Sequence, residues 1–531
     1  MFRNKITLHN STQAQNDPPL YAIYKDFSGG INTRVHPRDI RENQTIALTN
    51  WDIGTPATLY KTLGSVQIGS LASIGTSVLG LHNFDIQGGT DQLLKYTENN
   101  KLYKWEGSGN WVDLSSHSSF SSLMSGAELV GFISAKESGL TPDDIAVFYN
   151  GRNNVIRLTS DGNLQDLGDT NTSPPLTDVM CWYGNRIWGL KDDLLYFSDA
   201  YDSDYSGAFD RTTNIFRVPV GAEMGLAPTR DLGIVCLGKN AIWALAPSVV
   251  PAATDQPQPL LTGMGCVSKG GWAMVGDDIF FFSQDGLRAL KRTVQDKLQL
   301  GADYQVSYLM KTDFEGINWA YISRLTMRYF DNNLFIGIPT GANTFDTWIY
   351  YPTTQGFTKK DGLSPRCWAR YKVSGEERLY YGLHGRNKVF QAWTGYTDEG
   401  TNTTNGTTQT ATLETRAEDF QQPLVWKVGG EIEIEATSAT GNLNVYARVD
   451  EGNYTLLGVM ALTSPTAPTL PIDLPFTLSD SFIVREKFHL DSFGRFRIIQ
   501  VKIEHTEANT EDIKIYNINI TTFPEEYRNE D

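Results

Sequence analysis

The sequence predicts an all-β protein, in which a six- to seven-bladed β-propeller is followed by a C-terminal, jelly-roll-like β-sandwich. Short apolar and aromatic runs recur at a quasi-regular spacing, each after an Asn or Asp turn. Aromatic residues make up 11% of the chain, which favours strands because flat rings pack well on a pleated surface. Towards the C-terminus, apolar and polar residues alternate with the period of a half-buried strand.

Seven turn-and-strand units support the propeller. Each starts at Asn or Asp, which tolerate the positive φ of a tight hairpin, and continues into β-branched and aromatic residues. The runs are Lys101–Trp105, Val155–Leu158, Ile187–Leu190, Ala241–Leu245, Ile279–Phe282, Leu334–Ile338 and Lys388–Trp393. Their mean separation of about 48 residues fits the roughly 40–50 residues of a four-stranded blade. A chain of unrelated β-domains is the alternative, and it explains the regular spacing less well.

Composition divides the chain into four predicted parts. Pro18 and Pro19 end a polar N-terminal stretch, and a segment rich in Thr, Asn and Gly separates the blades from the alternating C-terminal region. The alternation is clearest in Glu431–Glu435, where Ile and Glu occupy opposite faces. The parts are a flexible arm over 1–20, the propeller over 21–395, a linker over 396–412 and the sandwich over 413–531.

Charge and cysteine usage restrict the class of protein further. The net charge is -16 and no basic stripe predicts tight nucleic-acid binding. Such a charge favours solubility, and it also suits a conduit wall that repels DNA. Cys181, Cys236, Cys266 and Cys367 lie far apart, which is typical of reduced, buried thiols. No signal-peptide pattern or bilayer-spanning apolar run is visible, so synthesis in a cytoplasm is expected.

Catalytic motifs are only partial. Ser283–Gly286 and Ser160–Gly162 have part of a sialidase Asp box, but with the wrong spacing and without its Trp, so β-turns are the better interpretation. Adjacent acids that could hydrolyse a glycoside fall at turn positions, namely Asp143-Asp144, Asp192-Asp193 and Asp277-Asp278. We therefore predict that the protein is not an enzyme, and that it has no catalytic residue and no cofactor.

One acidic loop contains the best candidate metal ligands. Asp202 and Asp204 could supply the hard oxygen atoms that Ca²⁺ prefers. The Gly and the distal Glu of an EF-hand are missing, so an exposed acidic loop is the alternative. The seven His residues show no HxH or HxxxH spacing, and no other metal site is indicated.

Several motifs resemble those of bacteriophage tail proteins. Phe27–Thr33, Asn50–Asp52 and Lys61–Gly64 are similar to the opening of many such proteins. Other similar segments are Trp182–Trp188, Tyr196–Asp199, Gly263–Val267 and Phe282–Leu287 in the blades, and Leu474–Phe476, Arg495–Arg497 and Pro524–Arg528 near the C-terminus. The resemblance spans about residues 25–528. Similar propellers form the tail nozzle of podophages or lie at the tail tip of long-tailed phages.

The resemblance implies a structural virion protein that forms a ring, retains and then conducts DNA, and anchors neighbouring tail proteins. A hexamer is expected for a nozzle and a trimer for a tail tip. Expected partners are the adaptor, fibres, viral DNA in the lumen and the host surface, with no stable small-molecule ligand. The alternative is a carbohydrate-binding or glycoside-hydrolysing propeller, which predicts an axial pocket with convergent carboxylates and Trp residues. A WD40-type scaffold needs recurring Trp-Asp pairs, and only Trp51-Asp52 is present.

Overall fold

The structure is a computed structural model of the chain. It describes residues 18–55, 57–69, 76–115, 129–139, 143–300, 305–315, 317–399, 406–438, 441–462, 483–507 and 512–525. Residues 1–17 of the predicted arm and 400–405 of the predicted linker lie outside this set, as do residues 474–476 and 526–528 of the resemblance.

The described residues form two compact units. The first, here the terminal unit, contains the residues up to Leu63, the segment Tyr351–Asp361 and the residues from Thr408 onwards. The second, here the propeller unit, contains Gly64–Tyr350 and Gly362–Thr407. Each unit therefore combines segments that are far apart in the sequence.

Forty-two strands are present in the described residues and are numbered in chain order. The terminal unit begins with β1 (Leu20–Tyr24), β2 (Gly30–Ile31), β3 (Gln44–Thr49), β4 (Trp51–Asp52) and β5 (Leu59–Lys61). Then follow β6 (Ser65–Ile68), β7 (Val78–Phe84), β8 (Gln92–Thr97), β9 (Lys101–Trp105), β10 (Val112–Asp113), β11 (Gly131–Lys136), β12 (Asp144–Tyr149), β13 (Ile156–Thr159), β14 (Leu164–Asp166), β15 (Val179–Tyr183), β16 (Arg186–Lys191), β17 (Leu194–Phe197), β18 (Ile215–Arg217), β19 (Glu223–Thr229), β20 (Gly233–Gly238), β21 (Ala241–Leu245) and β22 (Gln258–Thr262).

The second half of the chain contains the remaining strands and the short helices. The strands are β23 (Trp272–Val275), β24 (Asp278–Ser283), β25 (Gly286–Ala289), β26 (Thr326–Phe330), β27 (Asn333–Pro339), β28 (Phe345–Tyr351), β29 (Gly356–Lys360), β30 (Pro365–Val373), β31 (Glu376–Leu383), β32 (Val389–Ala392), β33 (Thr397–Asp398), β34 (Thr407–Thr408), β35 (Ala411–Thr415), β36 (Lys427–Thr437), β37 (Asn442–Val449), β38 (Thr455–Ala461), β39 (Val484–His489), β40 (Arg495–Phe496), β41 (Ile499–His505) and β42 (Lys514–Pro524). The helices are α1 (Leu290–Leu300), α2 (Lys311–Glu315) and three 3₁₀ turns at Tyr308–Met310, Trp319–Arg324 and Asp491–Phe493.

Antiparallel sheets of the propeller unit follow one another along the chain. Six are separate sheets, of which five are made of strands consecutive in sequence: β7–β10, β11–β14, β15–β18, β19–β22 and β23–β25. The sixth combines β30–β32 with β6, and the meander β26–β28 lies between the last two in sequence. First strands of successive sheets are neighbours, and β30 returns to contact β7. The all-β propeller fold predicted from the sequence is confirmed.

The ring of blades closes through strand β6, which comes from the start of the propeller unit. It pairs antiparallel with β32 at its end, with Ser65 opposite Ala392 and Ile68 opposite Val389. The last blade thus gains its fourth strand from a segment about 320 residues earlier in the chain. Backbone hydrogen bonds in this pair tie the first and last blades together.

Each of the seven predicted runs overlaps a strand of a different sheet or meander, namely β9, β13, β16, β21, β24, β27 and β32. All seven are second or third strands, which are the most buried because they have neighbours on both sides. The spacing of the runs is uneven because some mark a second strand and others a third. Positive φ values of 59°, 62° and 59° at Asn100, Asn185 and Asn332 confirm the role of Asn in the turns.

Helix α1 was not predicted. It follows β25, at the position where the preceding blades have a fourth strand. Leu290 is buried and Val294, one helical turn later, packs on the same apolar cluster as Phe281. The sequence places apolar residues four positions apart at Leu290, Val294 and Leu298, but a helix of only 11 residues gives too short a repeat to stand out among the strands.

All four cysteines are free and buried, as the sequence predicted. Cys181 and Cys236 lie in one apolar cluster with Trp188 and Phe197. Burial raises the pKa of the Cys236 thiol to about 12, so this thiol stays protonated at neutral pH. Its role is that of a small apolar side chain.

The terminal unit contains two sheets that draw strands from both ends of the chain. The first has the order β39-β36-β42-β5-β4, with β1 also on β42 and β40 on β36. The second includes β3-β35-β41-β37-β38, in which β2 and β29 run parallel to β3. Ile432 and Ile434 are fully buried, which agrees with the predicted alternation in β36.

The division of the chain differs from the predicted boundaries at 21–395 and 413–531. Strand β1 pairs with β42, from Leu20 opposite Thr522 to Tyr24 opposite Ile518, and β3 pairs with β35. The propeller unit consequently starts at Gly64, and the first strands complete the sheets of the terminal unit. Pairing partners so far apart leave no local signal in the sequence. The C-terminal sandwich itself stays a prediction.

The paired glycines of the Phe27–Thr33 motif allow a close approach of two backbones in the terminal unit. Gly30 has a φ of +64°, and a Cβ there would lie 2.5 Å from both the N and O atoms of Phe357. At Gly29 a Cβ would lie 2.8 Å from the Asn43 carbonyl oxygen. Glycine, which has no Cβ, is therefore required at both positions.

The other opening motifs also make contacts inside the terminal unit. The Asn50 Nδ2 group donates to the Thr410 carbonyl at 2.7 Å, while its Oδ1 accepts from the Asp361 amide at 3.0 Å. Lys61 Nζ donates to the Gln409 carbonyl at 2.9 Å and lies 2.8 Å from His505 Nδ1. Burial and the Lys61 charge lower the His505 pKa to about 4, so the neutral ring accepts this hydrogen bond.

Gly30→Ala is expected to destabilise the protein by roughly 2–5 kcal/mol, because a left-handed φ costs about 1–2 kcal/mol and a forced contact about 1–3 kcal/mol. Gly88→Ala is the matched control, since Gly88 has a φ of +77° but no atom within 4 Å of its Cβ position. The control should lose only the backbone term of about 1–2 kcal/mol. Calorimetric unfolding measures both, and equal losses would contradict the close approach.

Lys95 is a buried cation in the first blade. Its Nζ lies 4.2 Å from the Trp111 ring and 4.8 Å from the Tyr103 ring, and no hydrogen-bond acceptor reaches it within the described residues. Burial lowers the Lys95 pKa from 10.5 to about 7. Cation–π contacts therefore offset only part of the desolvation cost.

Lys95→Met is expected to raise the unfolding temperature most at and below about pH 7. The unfolded chain keeps the proton up to about pH 10.5, so the burial penalty is complete at low pH and declines as the pH rises from about 7 to 10.5. Calorimetry at about pH 6 and about pH 9 measures the change. Lys101→Met, on the adjacent strand and 40% exposed, serves as control. A gain from Lys95→Met that does not change with pH would contradict a buried charge.

Candidate functional site

First strands of the blades surround an axial cavity of about 550 Å³, and every residue of its wall belongs to the propeller unit. Its wall contains a segment from each first strand or the loop before it: Leu79–Asn83, Leu129–Phe132, Asp178–Met180, Met224–Leu226, Trp272–Met274, Thr326–Tyr329 and Arg366–Arg370. Glu377 and Lys269 complete the charged part of the wall. The cavity is the candidate functional site because it gathers charged and aromatic side chains from distant strands.

Glycines let the strands approach one another at the axis. A Cβ on Gly225 would lie 2.3 Å from Trp272 Nε1, and one on Gly80 would lie 2.6 Å from the Val130 carbonyl oxygen. Strands converge towards the axis of a propeller, so the smallest side chain is needed where they are closest. The cavity is consequently narrow.

Positive charge prevails in the cavity although the chain as a whole carries -16. The cationic residues of the wall are Lys269, Arg328, Arg366 and Arg370, and the anionic ones are Asp178 and Glu377. An ion pair joins Lys269 to Asp178. Arg370 Nε lies 3.5 Å from Glu377 Oε1. The acidic character expected for a DNA conduit does not extend to this axis.

His82 lies in the same wall and is neutral at neutral pH. Its ring stacks on Phe132, with ring centres 5.6 Å apart, and Nε2 lies 2.8 Å from Ser134 Oγ. Burial, with the charge of Arg328 as the second cause, lowers the His82 pKa to about 3. Burial lowers the pKa of Arg328 to about 10, with the charge of Arg370 as the second cause.

Asp202 and Asp204, the candidate metal ligands, lie in a loop outside the cavity and act as turn residues. Asp202 Oδ1 accepts from the amides of Asp204 and Tyr205 at 3.0 and 2.9 Å. Asp204 Oδ1 accepts from the Ser206 amide and hydroxyl at 2.9 and 2.8 Å, and these bonds lower the Asp204 pKa. Across the described ranges, no three or more His, Cys, Asp or Glu side chains are grouped as metal ligands.

The partial Asp box and one of the acid pairs also form turns. Ser283 Oγ donates to the Gly286 carbonyl at 2.9 Å and accepts from the Asp285 amide at 3.3 Å. Asp192 and Asp193 have φ values of 51° and 61°, a left-handed geometry that acids tolerate. The interpretation of these acids as turn formers is confirmed.

The sequence reasoning missed the cavity residues. Their one local signal is a charged residue among apolar and aromatic neighbours, as at Arg328 in β26. In β30, Arg370 is one of three cationic residues and does not stand out. Such a residue more often lies on a solvated face, so the pattern alone does not predict a site.

Comparisons with known proteins give distant similarities. No family model and no curated protein matches the chain. A structure of BBS1N in complex with ARL6DN has 10% identity and a TM-score of 0.39, covering 63% of this chain and 99% of that one. The C-terminal WD40 domain of Sif2 has 9% identity and a TM-score of 0.32, covering 66% and 96%.

A third similar structure is the extracellular domain of a hybrid two-component system from B. thetaiotaomicron, with 10% identity and a TM-score of 0.37. The match covers 77% of this chain but only 47% of that one. At this similarity the activities of these proteins do not transfer to this chain. Within the described residues, no helix has the length and apolar character needed to cross a bilayer.

Asp202→Ala is expected to cost about 1 kcal/mol because two amides lose their acceptor, whereas Asp202→Asn keeps a side-chain oxygen and should cost less. Thermal unfolding with and without millimolar Ca²⁺ distinguishes a turn residue from a ligand. For a turn residue the unfolding temperature does not depend on Ca²⁺. A Ca²⁺-dependent rise that Asp202→Asn abolishes would identify a metal ligand instead.

Proposed function

We propose that this chain is a structural, non-enzymatic subunit of a bacteriophage tail, which assembles with copies of itself into a ring that retains and then conducts DNA. The observation that carries the proposal is an exposed apolar edge strand in the terminal unit. In the part of the chain that the structure describes, β1 pairs with β42 alone, and its Tyr21 and Ile23 are 64% and 56% exposed. Exposed apolar side chains on an unpaired strand edge favour association with another chain.

A second edge strand has the same character. In the described residues β38 pairs only with β37, and its Leu456 and Val459 are 51% and 47% exposed. Two different apolar edges on one unit suit a head-to-tail interface, which closes into a ring of cyclic symmetry. Six copies fit a nozzle and three fit a tail tip.

The route of DNA in this proposal lies between subunits, inside the ring. The axial cavity of about 550 Å³ has the size of a small-molecule pocket, which is too small for a DNA duplex. A lumen bounded by several copies, each with a net charge of -16, would repel the phosphate backbone and let it slide.

The opening motifs support the phage assignment through their structural roles. Gly30, Asn50 and Lys61 all make contacts that join the strands of the terminal unit. Motifs with such roles maintain the fold of the terminal unit. This suits a protein that assembles and does not turn over a substrate. The proposed location is the virion, with an adaptor, fibres, DNA and the host surface as contacts.

The double variant Tyr21→Lys, Ile23→Lys is expected to convert the ring into monomers without lowering the unfolding temperature, because both side chains are exposed. Native mass spectrometry measures the copy number. The control is Val249→Lys, Val250→Lys, which changes side chains that are 94% and 70% exposed in a loop of the propeller unit. This control should assemble normally.

Two results would contradict the proposal. One is a native protein that is monomeric at virion-like concentrations, and the other is ring formation that survives the change in β1. A monomer that binds or cleaves oligosaccharides would favour the alternative, a carbohydrate-active propeller. That alternative is consistent with the presence of Trp272, Trp368 and two carboxylates in the axial cavity.

A further inference from the structure

The axial cavity contains a guanidinium to which the described residues offer no hydrogen-bond acceptor and no ion-pair contact. Arg328, on β26, lines the cavity and is half-buried. Among the described residues it forms no hydrogen bond and no ion pair. A guanidinium presents five donors, and where it is only partly hydrated an anionic acceptor can form strong, charge-assisted hydrogen bonds with it. Such a group is a candidate anion receptor.

The surroundings of Arg328 increase the positive potential. Arg370 repels it. Among the described residues, Glu377 is the carboxylate that attracts it, and Glu377 Oε1 also lies 3.5 Å from Arg370 Nε. His82 is neutral and adds no negative charge. An anion that enters here meets two guanidinium groups and one carboxylate, so its binding relieves the repulsion between the two arginines.

The size and the walls of the cavity restrict the type of anion. A volume of about 550 Å³ lies within the roughly 300–1,000 Å³ of small-molecule pockets. Phe132, Trp272, Met327 and Trp368 provide apolar and aromatic surface beside the charged groups. These walls favour a compound with a flat apolar body over a free inorganic ion.

We propose that the axial cavity binds a small organic anion, a carboxylate or a phosphate ester with an aromatic body, through the guanidinium groups of Arg328 and Arg370. A planar guanidinium can hold either acid group through two parallel hydrogen bonds. No stable small-molecule ligand was expected from the sequence, because the residues that line the cavity lie on separate strands and form no local motif. The inference concerns the propeller unit alone and does not depend on assembly into a ring.

Three probes with a common ring test the inference: benzoate, phenyl phosphate and the neutral benzyl alcohol. A ligand that binds only the folded state raises the unfolding temperature, and calorimetric titration gives its affinity. Benzoate or phenyl phosphate should bind, and the stronger of the two identifies the acid group. Benzyl alcohol should bind at least tenfold more weakly, because it cannot form the charge-assisted bonds.

Arg328→Gln should weaken binding of the better anion roughly tenfold or more, and Arg328→Lys should have an intermediate effect because it keeps the charge but not the fork. Arg217→Gln, at an exposed position on β18, is the matched control and should bind like the native protein. Arg328→Gln is expected to fold at least as stably, since it removes a repulsive neighbour of Arg370.

The inference is overturned if neither anion binds the native protein. It is also overturned if benzyl alcohol binds equally well, or if Arg328→Gln binds the anion with native affinity. Native mass spectrometry of Arg328→Gln keeps this test separate from the proposed tail function. Loss of anion binding with an intact ring supports the cavity site, and failure of ring formation in every variant bears only on the tail function.

Discussion

The pairing of β6 with β32 is the constraint on which the propeller depends. Without β6 the last sheet would end at β32, and the backbone donors and acceptors on that side of β32 would lose their partners. The four-residue strand Ser65–Ile68 supplies the missing edge of the last blade. Because this closure uses the first residues of the unit, the blades become a closed ring only when the whole unit has been made.

Closure by a distant segment also organises the terminal unit. Its two sheets join β1, β3 and β5 to strands near the C-terminus, and the contacts of Gly30, Asn50 and Lys61 fix this arrangement. Contacts between residues several hundred positions apart require large loops to close, which slows folding compared with local hairpins. The local hairpins of the blades therefore contrast with the long-range closure of both units.

Convergence of strands at the axis explains the character of the cavity. Glycines such as Gly80 and Gly225 are required where backbones approach, while side chains on alternate positions of the same strands point towards the space that remains. Charged side chains in that narrow space are only partly hydrated, so their mutual repulsion is stronger than on the surface. Arg328 and Arg370 repel each other in this space, although the overall charge of the protein is negative.

Elements that depend on neighbouring residues could be predicted from local residue patterns. Asn100 and Asn185 specify turns through their own φ, and the apolar runs beside them specify the middle strands of the blades, so the propeller could be predicted. The pairing of distant segments, the start of the propeller unit and the charges that meet at the axis became evident only in the folded chain. The hydrogen bonds between β1 and β42 form only when a long loop closes, and so does the contact that brings Arg328 near Arg370. Loop closure does not produce a periodic pattern in the sequence, so these contacts could not be predicted.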